Sequence, residues 1–438
     1  MANVDSPTSR RTFIEWFAKG FFGVNLWGAV PRLMASARPG GKAKNVIYVY
    51  LRGGLSHIDT FDPKPGVAEM AGVGAIKTSA DGVQISEWFP KMAQQMHHIA
   101  LVRSMTSTQG VHERGNYLAR TSYFQAPTIR HPGLGAWALK RLGSDNPLLP
   151  GNVLINGSPQ HPGSGYMEPH LAPLPIIDPA AGLQNSVLVG RVTTSDFARR
   201  TLLAQTLGNG FLERTPHRST SAYRTIHEKA VELMKSEDLK AFDLGREDPK
   251  VRSAYGDHTF GQGCLLARRL VEHGVRFVEV EDHQNWDTHN DHVVSMKRMT
   301  PSLDQSLAAL LGDLHQRGLL ESTLVVMATE FGRSPKISEV TAGRGHHPAA
   351  FTWWVAGGGM KRGYVHGKTD TTGERVAEDA VTMPAFNATI AHALGIDCEK
   401  VEYSSSGRPF TVANGDKPVL GLFAVSYTHL TLPTNREV

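Results

Sequence analysis

Hydrophobic positions along the chain alternate between short unbroken runs and stretches spaced by three and four. Asn45-Val-Ile-Tyr-Val-Tyr-Leu51 is a near-continuous apolar, β-branched run ending at Arg52-Gly53-Gly54, the pattern of a buried parallel strand that feeds a loop. His98 to Arg103 predicts a second strand. Val275-Arg-Phe-Val-Glu-Val280 and Thr323-Leu-Val-Val-Met-Ala-Thr329 predict two more, each running into polar residues. Helical spacing precedes these last two: one helix ends across Arg268 to His273 with Gly274 as its stop, and Leu303 to Arg317 carries the other to Gly318. Alternating helix and strand predicts a three-layer α/β/α fold with a mostly parallel central sheet, in which ligands sit at the carboxyl ends of strands.

Other segments depart from this alternation. Thr194 to Gln262 is charged and lacks strong strands, with Phe197 to Leu207 and Ser221 to Met234 as helix candidates; it is expected to be a helical insertion. Pro147 to Pro179, rich in Pro, Gly and His, is expected to be a long loop shaping an entrance. At the N-terminus, Ser9-Arg-Arg-Thr-Phe-Ile14 precedes an apolar stretch from Trp16 to Val30 and an Ala35-Ser36-Ala37 cleavage signal. This order is that of a twin-arginine export signal over residues 1–37, with a mature start near Arg38. The apolar stretch falls short of the ~20 residues of a stable span, so removal rather than anchoring is expected, leaving no membrane span in the exported protein. Residues 424–438 break style with the rest and resemble translated read-through, so they are set aside and His429 receives no role.

Composition narrows the chemistry. The 438 residues are 40% hydrophobic and 20% charged, ordinary for one large globular domain. The formal charge of +5 is inflated by the basic signal and gives no case for nucleic acid. The two cysteines, Cys264 and Cys398, cannot build a thiolate zinc site, so any metal must be held by His and carboxylate.

Four polar clusters follow strands or open helices. The first, Gly53 to Pro65, brings His57, Asp59 and Asp62 near paired glycines; imidazole and carboxylate suit Zn, Mn or Fe, while an Asx-turn network would place Asp62 without function. The second is His112-Glu113 at a helix start, where positive potential and free amides favour an anion or a nucleophile. The hydroxyls of Thr106, Ser107 and Thr108 before it are read as helix caps. The third, Trp286-Asp-Thr-His-Asn-Asp-His292, is dense in ligand types and gives the strongest local signal. The fourth joins Glu330-Phe-Gly-Arg333 to Gly343-Arg-Gly-His-His347, where a carboxylate, a late His and an arginine clamp for phosphate or sulfate combine. A plain Glu330–Arg333 ion pair is the bland alternative.

Together, the Gly53 to Pro65 loop, Gly274 to Val278, Trp286 to His289, Glu330 to Arg333, Gly343-Arg344 with His346, and Ala356 to Gly359 resemble the domain-of-unknown-function family 1501 over roughly Asn45 to Phe423. That family is similar to the alkaline phosphatase and sulfatase superfamily, and the resemblance implies an alkaline-phosphatase-like fold over residues 38–423. Carried onto this chain, it makes Asp287 and His289 the first-metal region and His346 the late His ligand. Glu330-Phe331 stands where the superfamily has Asp-His. Arg52-Gly53 stands where it has an Asp, so that ligand would have to come from His57 or Asp59. The formylglycine motif is absent, and His112 occupies the nucleophile position as metal ligand, general base or phosphoryl acceptor. The resemblance thus implies a metal-dependent hydrolase of phosphate or sulfate esters, with Asp287, His289, Glu330 and His346 around a divalent ion, zinc first and Mn, Fe or Ca as alternatives. Arg333 would stabilise developing charge, and the partner would be a small anionic ester or a sulfated or phosphorylated glycan. The rival readings are a non-catalytic ligand- or glycan-binding relative and a metal-dependent phosphoryl isomerase or transferase.

Overall fold

The computed structural model describes residues 41–424, apart from 185, 187, 189, 191 and 215–217. The expected export signal, and the set-aside tail beyond Ala424, lie outside the described residues. A nine-stranded sheet organises the chain: β1 Asn45–Leu51, β2 Ile99–Thr106, β3 Asn152–Ile155, β4 Leu174–Ile176, β5 Phe277–Asp282, β6 Thr323–Ala328, β7 Phe351–Gly357, β8 Tyr364–His366 and β9 Val381–Thr382. Its order is β8-β2-β7-β6-β1-β5-β3-β4, with β9 also pairing β2. β1 is central and parallel to both β5 and β6. Only β7 runs against its neighbours, β2 and β6, so the sheet is mostly parallel, as the alternating pattern predicts.

Helices cover both faces because β1 is apolar on both. Ile47, Val49 and Leu51 enter one core with residues of Thr259–Glu272 and His292–Gln316, while Val46, Tyr48 and Tyr50 enter the other with residues of Leu134–Leu142 and Met383–Ala393. Strand residues alternate faces, and each of these six is at most 1% exposed. The result is three layers. The expected strands are all present, within a few residues of their predicted ends.

Two expectations needed correction. The expected loop from Pro147 to Pro179 contains β3 and β4, whose short length and flanking prolines hid them. The helix expected from Leu303 starts already at His292 and carries Pro301 inside it; a proline is a poor interior residue, and the apolar spacing shows only beyond it. Cys264 and Cys398 do not meet: both are free. The charged segment after Thr194 forms helices Thr194–Arg214 and Arg218–Lys235, and the next long helix, Thr259–Glu272, begins before Gln262. No helix among the described residues is long and apolar enough to cross a membrane.

Candidate metal centre

Three separate segments converge beyond the carboxyl ends of β1, β5 and β6. His112 opens helix α1, His112–Thr121. Asp287 and His289 lie on the turn after β5, and His346 lies on a two-residue strand paired antiparallel to Gly332–Arg333. Gly53, at φ 114°, lets the chain after β1 pass against that turn: a Cβ there would stand 2.6 Å from the Asp287 backbone nitrogen. The expected capping by Thr106, Ser107 and Thr108 does not occur. Thr106 ends β2, Ser107 Oγ accepts from Gln109 N at 3.0 Å, and α1 begins after Val111 with no side-chain cap.

The ligand-type atoms of His112, Asp287 and His346 all lie within 4.8 Å of one another. Asp287 Oδ1 is 3.2 Å from His112 Nε2, 3.1 Å from His289 Nε2 and 3.3 Å from His346 Nε2. His289 Nε2 and His346 Nε2 are 2.9 Å apart. The rim is open to solvent, with His289 47% exposed and Asp287 27%.

Hydrogen bonding fixes two of these rings. His346 Nδ1 lies 2.7 Å from the Gly110 carbonyl, which can only accept, so Nδ1 carries the proton and Nε2 presents a lone pair. His112 Nδ1 likewise donates to Glu330 Oε1 at 2.6 Å. His112 Nε2 is buried, 3.2 Å from Asp287 Oδ1, and makes no hydrogen bond among the described residues. Two imidazole lone pairs and a carboxylate therefore face one another, an arrangement that calls for a cation. The residues fit a divalent metal.

Glu330 does not reach the cluster as a fourth ligand. It is fully buried, and besides His112 it accepts from Gly53 N at 2.8 Å and from the Tyr50 hydroxyl at 3.1 Å. Burial pushes its pKa up, but the His112 and Gly53 hydrogen bonds outweigh this and hold it below the usual carboxylate value. His112 is opposed by burial yet raised overall by the hydrogen bond and charge of Glu330 and by Asp287. The two carboxylates thus draw positive charge to this ring.

Arg333 is buried and spends four donor contacts within the protein, on the Gly54, Arg344 and Gly53 carbonyls and on Asp287 Oδ1. Burial raises Asp287, but the Arg333 charge and hydrogen bond bring it below its ordinary value. This pair replaces the Glu330–Arg333 pair considered from the sequence.

His57 and Asp59 are not brought to the cluster. His57 is buried with Nε2 2.8 Å from the Gly373 carbonyl, and burial pushes its pKa down to about 4. Asp59 accepts from Ser56 at 2.5 Å, His292 at 2.9 Å and Arg344 Nη2 at 3.1 Å; His292 in turn pairs with Thr288 Oγ1 at 2.6 Å. This network braces the turn that carries Asp287. Asp62 binds Lys64 at 3.0 Å and Thr369, closing its loop.

Sequence reasoning missed a second buried group beside the centre. Arg120 on α1 binds Glu279 Oε1 at 2.7 Å, Glu281 and Asn116, and stands 3.8 Å over the Tyr50 ring. His161 reaches Glu279 at 3.1 Å. The signal was there: Glu279 and Glu281 sit two apart on a buried strand, hence on one face, and two such carboxylates require a cation nearby.

The chain belongs to the family described as Protein of unknown function (DUF1501), whose model matches residues 43–423. No curated protein matches the chain. Solved structures to which it is similar include the lipoteichoic acid synthase LtaP from Listeria monocytogenes, at 9% identity over 82% of this chain and 74% of that one, TM-score 0.40. An alkaline phosphatase from the Antarctic bacterium TAB5 matches at 12% identity over 73% and 92%, TM-score 0.33. The phosphonate monoester hydrolase of Agrobacterium radiobacter matches at 11% over 86% and 77%, TM-score 0.33.

Proposed function

We propose that this protein is a metal-dependent hydrolase of phosphate or sulfate esters. The observation that carries the reading is the convergence of His112, Asp287 and His346 within 4.8 Å of one another, with two imidazole lone pairs turned toward the carboxylate. Two imidazoles, one carboxylate and a third imidazole at the rim suit zinc first, with manganese or iron next; calcium, which prefers all-oxygen shells, fits this set least. When bound, such an ion supplies an acidified water and a Lewis acid for the ester oxygen.

The chain's own residues do the rest. Glu330 orients His112 and fixes its tautomer. Arg333, its donors largely engaged, keeps Asp287 ionised and in place and adds a fixed positive charge beside the docking point of an anionic ester. No hydroxyl or thiol hydrogen-bonds to the side chains of His112, Asp287 or His346 among the described residues, which favours water over a side chain as the attacking group. The twin-arginine segment belongs to the same reading: that route carries folded proteins, so the ion is loaded before export.

Metal analysis of the purified protein, paired with a screen of phosphate and sulfate esters, tests the proposal. We expect a retained divalent metal and ester turnover, both lost in Asp287→Ala. A metal-free wild-type protein without turnover sinks the reading.

A further inference from the structure

Tyr48 and Tyr50 stand two apart on β1, so both face the same core, and their rings lie nearly parallel with centroids 6.3 Å apart. Both are buried. They differ at the hydroxyl. That of Tyr48 makes no hydrogen bond among the described residues, whereas that of Tyr50 donates to Glu330 Oε2 at 3.1 Å. Burying a hydroxyl costs free energy unless it is bonded, so what a tyrosine adds over a phenylalanine at position 50 is its hold on Glu330.

The two Glu330 oxygens have different partners. Oε1 meets His112 Nδ1 at 2.6 Å and Gly53 N at 2.8 Å. Oε2 meets the Tyr50 hydroxyl and, at 3.3 Å, the Thr329 hydroxyl. Thr329 is the weaker holder, because its one proton is shared with the Phe331 carbonyl at 3.5 Å. Without the Tyr50 donor the carboxylate turns more freely about its terminal bond, whose torsion is broad, and Oε1 loses its alignment with His112 Nδ1. The Tyr50 ring itself is fixed. Arg120, on the same helix as His112, stands 3.8 Å over it and is tied in turn to Glu279 and Glu281. Burial, with the Glu330 charge adding to it, pushes the Tyr50 pKa well up, so the hydroxyl keeps its proton and stays a donor.

We propose that Tyr50 is a positioning residue of the candidate metal centre: it pins Glu330 Oε2, so that Oε1 holds the His112 ring with Nε2 toward Asp287. The consequence for metal rests on the metal-centre reading; the hold on the ring does not, and the measurements separate them. Zinc affinity is measured by competition with a chromogenic chelator in the wild type, Tyr50→Phe, Tyr48→Phe, Glu330→Gln and the double variant Tyr50→Phe/Glu330→Gln. The low-field His112 Nδ1–H proton resonance, assigned by its loss in His112→Gln, is followed in the zinc-free proteins. We expect Tyr50→Phe to bind zinc about three- to tenfold more weakly, less than the ~10- to 100-fold for a direct partner of a ligand, and its His112 resonance to broaden or move upfield. Tyr48→Phe, which removes an unbonded hydroxyl from the same face of the same strand, should match the wild type in both. In the Glu330→Gln background Tyr50→Phe should add little, since its effect passes through the carboxylate; that comparison decides the matter where Tyr50→Phe alone does not fold. Wild-type zinc affinity in Tyr50→Phe overturns the proposal, as does an equal loss in Tyr48→Phe or an undiminished loss in the Glu330→Gln background. If the wild type takes up no zinc, the metal reading falls, and an unchanged His112 resonance in Tyr50→Phe then removes the hold on the ring as well.

Discussion

Glu330 shows best how one residue's environment decides its role. The sequence places a carboxylate at the end of a strand, which reads as a metal ligand; burial beneath His112, with Gly53 N–H and the Tyr50 hydroxyl as further donors, makes it the group that holds the His112 ring. Glu330→Gln retains the shape but sets an amide against the His112 Nδ1–H or costs it charge. We expect metal affinity to fall about 10- to 100-fold, read by competition with a chromogenic chelator; unchanged affinity would remove Glu330 from the centre. His57 gives a residue-scale prediction of another kind. Its burial holds the folded pKa near 4, below the ordinary imidazole value of about 6.5, so the unfolded chain takes up the proton first as pH falls. Stability is therefore full above about pH 6.5 and declines toward pH 4, by up to roughly 3 kcal/mol from this group. Denaturant midpoints at pH 7 and pH 4.5 should differ less in His57→Gln than in the wild type. Equal pH dependence in the two would show that His57 does not carry this loss.

At the level of elements, legibility followed periodicity. β1 and β6 were readable because a strand covered on both faces is near-continuously apolar, and β2 was readable for the same reason apart from its ends; β5 was readable from its Val275 to Val280 run although Glu279, Glu281 and Asp282 interrupt it. β7, Phe351–Gly357, is absent from the expected strands although Phe351, Trp353 and Trp354 make it as apolar, because its run ends in Gly357-Gly358-Gly359, a turn signal that shortens the apolar stretch. α1 was placed by its start, yet what fixes it was not: the pairing of Arg120 with Glu279 and Glu281 joins residues 159 and 161 apart in the chain, which no local spacing records. Arg120 is 3% exposed and both glutamates are as well hidden, so removing the cation strands two carboxylates. We expect Arg120→Met to cost about 3–5 kcal/mol in chemical denaturation. A loss under about 1 kcal/mol would mean that the glutamates take up protons or water at little cost.

Across the whole molecule, the candidate centre is a cross-link between distant parts of the chain. His112, the Asp287 turn and the His346 strand belong to segments that share few neighbours in sequence, and only the sheet, by ending β1, β5 and β6 at one edge, brings them together. The sequence could identify the ligand types because their clusters are local and dense; it could not show that His112 joins Asp287 and His346 while His57 and Asp59 turn away, since that depends on which side of the Gly53 loop each faces. A cation at this junction stabilises only the folded arrangement, by about 2.7 kcal/mol when present at a hundred times its dissociation constant. For a domain of this size that is a rise of several degrees in thermal midpoint. Chelation should therefore lower the midpoint of the wild-type protein and added zinc should restore it, whereas Asp287→Ala should melt at one temperature under both conditions. A wild-type midpoint indifferent to chelator and to zinc would leave the three side chains as a polar contact between segments, with no ion holding them.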